Sequence, residues 1–133
     1  MIEEIKTKAL KEGVPIIKDE GLAFLLNYIE EHGCRQILEL GAAVAYSAIQ
    51  MARLSKDIHI DTIEKDEEMY TQAIANIKEA KLEDQIDVWF MPIEEFKSDR
   101  IYDLIFVDAA KAQYGRYTEQ FLDNLKQDRK SVV

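Results

Sequence analysis

The sequence holds one cysteine, Cys34, among its 133 residues. No intrachain disulfide can form, and a lone thiol points to a reducing, cytoplasmic setting. Two prolines and five glycines leave no obvious linker, and there is no internal repeat or low-complexity tract. Long apolar runs are missing too. None approaches the roughly 18–20 residues that span a bilayer, and charges interrupt the N-terminus from Glu3 onward, so no membrane partner is expected. Basic residues are in short supply, 17 against 26 acidic ones, for a formal net charge of −9. That balance repels polyanions at long range, so nucleic acid is not the default partner. Lys6, Lys8, Lys11 and Lys18 cluster near the start, where they read as the solvated face of a helix. The two histidines offer little: His32 sits near a helix end, and His59 lies in a strand without partners at ligand spacing. Apolar residues at 47 % and charged residues at 32 % are the balance of a globular chain, and the length fits a single domain over residues 1–133.

Periodicity supplies the architecture. Ile2, Ile5 and Ala9 recur at helical spacing before a stop at Gly13. Val14, Pro15, Ile16 and Ile17 form an extended connector, because the residue before a proline is pushed out of the helical region. Leu22, Leu25, Leu26 and Ile29 mark the face of a second helix, ended by Gly33. The period then shortens: residues 36–40 read as a strand that turns at Gly41, with a helix over 45–54. A second strand over 58–63 leads into Glu64. Asp66 caps the next helix, with Met69, Ala73 and Ile77 as its buried stripe. Strands over 86–91 and 102–107 follow, and then an amphipathic helix over 114–125. Alternation of this kind predicts an α/β fold, a Rossmann-like parallel sheet with helices on both faces.

Ligands of such sheets bind at the carboxyl ends of the strands. Here those ends carry Glu39 and Gly41 to Ala45, then Glu64, then Met91, Pro92 and Ile93, then Asp108 to Lys111. The first turn lacks the Gly-x-Gly-x-x-Gly by which dinucleotide enzymes approach a pyrophosphate. One glycine with small neighbours suits S-adenosylmethionine (SAM), which has no phosphate; a plain tight turn is the other reading. Ser47, early in the following helix, is placed to hydrogen-bond the SAM carboxylate. Glu64 follows Gly41 at close to the ~20-residue offset of a ribose-binding acid, and helix capping is the alternative. Asp108 ends an apolar strand and needs a partner. A divalent cation or an ion pair with Lys111 would each supply one. Trp89 and Phe90 read as sheet packing, and Cys34 has no histidine nearby to make it a nucleophile.

The strings at 14–17, 37–41, 46–48, 51–52, 62–64, 76–77 and above all 102–114 resemble the catechol and caffeoyl-CoA O-methyltransferase superfamily. They are most similar to its bacterial branch that methylates 5-hydroxyuridine at the tRNA wobble position. The resemblance covers nearly the whole chain. It implies a SAM site lined by Glu39, Gly41, Ala42, Ser47 and Glu64, with Ile17, Pro92 and Ile93 near it. Asp108 would contact both SAM and a Mg²⁺ ion, and Lys111 would be the base for the acceptor hydroxyl, with Asp108 and Lys111 forming the catalytic pair. The implied reaction is in-line methyl transfer to a metal-bound hydroxyl, that of 5-hydroxyuridine in tRNA, with a small catechol- or caffeoyl-CoA-like molecule as the alternative acceptor.

Three departures stand out. Ala45 replaces a second turn glycine, and Pro92 replaces an acid expected to contact adenine, so weaker cofactor binding is expected. The family sheet continues past four strands, and its fifth ends in an Asp-Asn pair that completes the metal site. Ser131, Val132 and Val133 would only begin that strand. The domain is therefore expected to be incomplete at its C-terminus, inactive alone, and prone to homo-oligomerise through an open edge. A SAM-binding remnant without catalysis is one rival reading. A phosphoacceptor signalling domain, suggested by 103–108, is another, although it lacks the acidic pair such a domain needs after strand one.

Overall fold

A computed structural model describes residues 1–107 and 120–125. The chain starts with two helices, α1 (Ile2–Lys11) and α2 (Asp19–His32), and then alternates strand and helix. β1 (Gln36–Leu40), α3 (Tyr46–Ala52), β2 (His59–Glu64), α4 (Glu67–Glu79), β3 (Ile86–Phe90) and β4 (Leu104–Val107) follow in order. The sheet order is β3-β2-β1-β4, with every pair parallel. β1 lies between β2 and β4, so strand order reverses beside it. That is the switch point at which open α/β sheets bind ligands.

Side-chain alternation along the strands divides the core in two. Ile37, Ile60, Ile86 and Leu104 pack with buried residues of all four helices, among them Leu25, Ile29, Ile49 and Ile77. Leu38, Ile63 and Ile105 face the other way, against Phe96, Tyr102, Phe121 and Leu125. Among the described residues that second layer has a 3-10 turn at Ile93–Glu95, another at Leu122–Asn124, and residues 120–121 in helical conformation. The rest of the helix expected over 114–125, and the strand expected to start at Ser131, lie outside the described residues.

Local chemistry accounts for the boundaries. Gly33 ends α2 in the left-handed conformation (φ +60°), and Cys34 then buries itself behind it. The Asp66 carboxylate accepts from the Met69 amide at 2.9 Å, so the expected helix cap is formed. The α3 helix is shorter than the expected 45–54: Ala45 is left-handed (φ +69°) and stands outside it, and the helix closes at Ala52 with Arg53 as its C-cap. Near the start of β3, Gln85 turns its side-chain amide onto the carbonyls of Ala52, Ser55 and Ile58 at 2.8–3.0 Å, which fixes the α3–β2 connection.

Strand four begins at Leu104, two residues later than expected. Tyr102 makes only an isolated bridge to Leu125, and Asp103 is diverted to another role. Its buried carboxylate accepts from the amides of Arg35 and Gln36 at 2.6 and 3.0 Å, holding the start of β1 against the start of β4. Charge-assisted bonds of this type are worth about 1.5–3 kcal/mol each. Asp103→Ala should therefore lower the unfolding free energy by about 2–3 kcal/mol in urea titration with an unchanged m-value. A loss below about 0.5 kcal/mol, the range of an ordinary surface substitution, would show that Asp103 is not this clamp.

Candidate active site

The carboxyl ends of β1, β2 and β3 meet at one rim, and the turn after β1 is folded down onto it. The amides of Gly41 and Ala42 both donate to the Ile63 carbonyl, at 3.1 and 2.9 Å. The next amide, that of Ala43, donates to Glu64 Oε1 at 2.7 Å. Glu64 Oε2 accepts from the Asp66 amide at 3.1 Å. Glu64 is 8 % exposed, and these two amides hold its carboxylate in one orientation. It both braces the turn and lines the hollow at the rim, whereas Asp66 supplies the helix cap. The turn needs positive φ at Gly41 (+105°), Ala43 (+47°) and Ala45 (+69°). Two alanines hold conformations that glycine adopts without a Cβ penalty, and each stores about 1–2 kcal/mol.

Beneath the turn lies Glu39, fully buried. The parallel register sets Thr62 directly opposite it, and Thr62 Oγ1 donates to Glu39 Oε1 at 2.6 Å. Ser47 Oγ donates to the other oxygen. Ser47 is thus engaged with Glu39, a different partner from the SAM carboxylate expected from the sequence.

Two adjoining hollows follow this rim. The larger, about 330 Å³, is lined by Gly41, Ile63, Glu64, Lys65, Met91, Ile93 and Glu94. A shallower one on the other side of the turn is lined by Ile17, Ala42, Tyr46 and Ser47 among others. The structure therefore brings Glu64 and Ile93 to one hollow of this cleft and Ile17, Ala42 and Ser47 to the other, with Gly41 shared by both. Glu39 is fully buried and lines neither hollow. Pro92 caps the 3-10 turn between Met91 and Ile93 without lining the cleft. Sequence reading missed Lys65, Thr62 and Glu94. The last restores a carboxylate to the end of β3, where Pro92 had seemed to remove one. Its signal was a proline opening a short turn with acids two and three residues on. Asp108 and Lys111 lie outside the described residues.

A second polar cluster sits toward the start of β2. His59 Nε2 is 2.9 Å from Asp87 Oδ2, correcting the expectation that His59 has no partner at ligand spacing. Asp61 is buried yet well served, accepting from Tyr102 Oη (2.8 Å) and Trp89 Nε1 (3.1 Å), with Arg100 Nε at 3.6 Å. Burial pushes the Tyr102 phenol well above its usual pKa. His59, Asp61 and Asp87 are the one group of three metal-ligating side chains that the described residues bring within 4.8 Å. Arg100 Nη1 stands 3.3 Å from His59 Nδ1. A metal on Nε2 would need a proton on Nδ1, facing that donor, so the cluster suits an ion-pair network better than a metal. It lies away from the cleft and lends no support to the Mg²⁺ expectation, which stays with Asp108.

This sheet order and its rim cleft are those of a Rossmann-like fold, and similarity to known proteins places it among the methyltransferases. The O-methyltransferase family model matches residues 1–132, and the chain belongs to that family. It is 35 % identical to a Staphylococcus aureus protein assigned to the caffeoyl-CoA O-methyltransferases, covering 94 % of this chain and 61 % of that one, with a TM-score of 0.90. An O-methyltransferase from Bacillus cereus, solved with S-adenosylhomocysteine, is 30 % identical over the same shares, with a TM-score of 0.79. Among curated proteins, a tRNA1(Val) (adenine(37)-N6)-methyltransferase from Flavobacterium psychrophilum is 32 % identical over 76 residues, 56 % of this chain and 32 % of that protein. The chain spans about three fifths of these structures and about a third of that curated relative. Among the described residues, no helix is long and apolar enough to cross a membrane.

If Glu64 braces the turn as the geometry indicates, Glu64→Ala should speed amide hydrogen exchange at Ala43 by about tenfold or more. That matches about 1–3 kcal/mol for a lost buried acceptor. Unchanged exchange at Ala43 would show that the turn holds without it.

Proposed function

We propose that the protein binds SAM in the cleft at Gly41, Glu64 and Met91 and, as an O-methyltransferase, passes the methyl group to a hydroxyl acceptor. The observation that carries this is Glu64, oriented at the end of β2 beside a turn too short of glycine for a pyrophosphate. In this reading its carboxylate accepts both ribose hydroxyls. Ile63, Met91 and Ile93 provide an apolar bed for the adenine, and Glu94, which lines the same hollow, is proposed to accept from the exocyclic amine. The S–CH₃ bond breaks as the O–CH₃ bond forms, leaving S-adenosylhomocysteine and a methyl ether. The hydroxyl proton goes to a base, for which Lys111 is proposed. Asp108 is proposed to touch SAM and, with groups outside the described residues, Mg²⁺.

Of the two acceptor classes, the net charge of −9 favours a small hydroxylated molecule over a polyanion. One structural relative, assigned to the caffeoyl-CoA O-methyltransferases, supports the same reading. The second reading, 5-hydroxyuridine in tRNA, draws on the string at 102–114. A reducing compartment, suggested by the single cysteine, and a single domain over 1–133 complete the proposal.

Isothermal calorimetry tests the cofactor. S-adenosylhomocysteine should bind, NAD should not, and Glu64→Ala should weaken binding by about 1–3 kcal/mol. Binding of NAD in place of S-adenosylhomocysteine would defeat the proposal. Where methyl transfer is measurable, catechol-type acceptors and hydroxyuridine-containing tRNA should be compared directly. Lys111→Met should slow transfer most at low pH, where the acceptor hydroxyl keeps its proton, and should barely change cofactor affinity.

A further inference from the structure

β3 forms one border of the sheet, and it differs from its neighbours in how little of it is covered. Trp89 is 42 % exposed and Phe90 51 %, so these two are not the plain sheet packing expected of them. The phase of its backbone bonding is fixed. Ile60 donates to the Gln85 carbonyl at 2.8 Å, and Met91 donates to the Glu64 carbonyl at 3.1 Å. Parallel pairing then turns the peptide groups of Asp87 and Trp89 toward β2 and those of Ile86, Val88 and Phe90 outward. Natural edge strands are guarded by lysine, proline, a bulge or a covering segment. Ile86–Phe90 contains no lysine or proline, its one charge, Asp87, is drawn to His59 at 2.9 Å, and it pairs with β2 in unbroken register.

A groove of about 500 Å³ runs along this border. Ile74, Val88 and Trp89 give it apolar walls, and four charges rim it, Lys78 and Arg100 against Glu83 and Asp87. Two cations and two anions cancel, in a chain whose net charge is −9. Two copies meeting here avoid the repulsion they would feel over most of their surface. The outward peptide groups also have their own symmetry, since Ile86 and Phe90 stand two residues either side of Val88. A two-fold axis through Val88 pairs it with its counterpart and sets Ile86 of each copy against Phe90 of the other. Every outward N–H and C=O is then satisfied.

We propose that β3 pairs antiparallel with β3 of a second copy, joining two sheets into one across a two-fold axis. Sedimentation equilibrium of the whole chain should show a dimer. Val88→Pro removes the N–H on the axis and no β2–β3 bond, so it should give a monomer with unchanged far-UV circular dichroism. Oxidised Val88→Cys should become a disulfide-linked dimer. The paired Cα atoms would be about 5.5 Å apart, within disulfide reach, and Cys34 is buried. If Val88→Pro fails to fold, the cysteine variant decides alone. A wild-type monomer up to about 100 μM, where even a small interface should form, would overturn the proposal. So would a dimer that survives Val88→Pro, or a Val88→Cys chain that does not cross-link.

Discussion

Parallel pairing imposes one condition on which the rest of this molecule depends: strands that run the same way end on the same side. β1 is paired with β2 and β4 at once, so Leu40, Glu64 and Val107 finish along a single rim. Each strand must then return by a crossover, and the first return is the turn at 41–45. Its amides have no strand to pair with. Two of them go to the Ile63 carbonyl and one to the Glu64 carboxylate, all on the neighbouring strand. The cleft lies where that folded turn meets the ends of β2 and β3.

A buried carboxylate is costly unless hydrogen-bonded, and this rim carries two that are. Glu39 is held by hydroxyls from Ser47 and Thr62, and Glu64 by amides from Ala43 and Asp66. The first fixes the base of α3 to the strands, and the second fixes the turn. The same logic governs the far side of the sheet. There Asp61 is satisfied by Tyr102, Trp89 and Arg100, while Asp103 clamps the start of β1. Polar groups thus pin the ends of the strands, and apolar residues fill the space between.

Much of this was legible in the sequence because it is local. The change from helical to strand period located β1 and β2 almost to the residue, and Asp66 announced its own cap. Glu64 was found from its distance to Gly41. What escaped was set by register between distant strands. Nothing near Glu39 shows that Thr62 lies opposite it, and nothing near His59 shows that Asp87 lies one strand away. Trp89 and Phe90 carry the composition of a covered strand, and only the sheet order reveals a border. Ser47's bond to Glu39 escaped for a related reason, since nothing in the sequence shows that α3 sets it against the buried strand.

The central proposal is that the rim formed by the turn after β1 and the ends of β2 and β3 is a preformed SAM site. The most direct test is an assigned ¹H–¹⁵N NMR titration with S-adenosylhomocysteine. The amides of residues 41–47, 63–65 and 91–94 should shift together and saturably. Those around His59 and Asp87, on the far side of the sheet, should stay in place. Saturable shifts confined to any other surface, with the rim amides unmoved, would contradict the account.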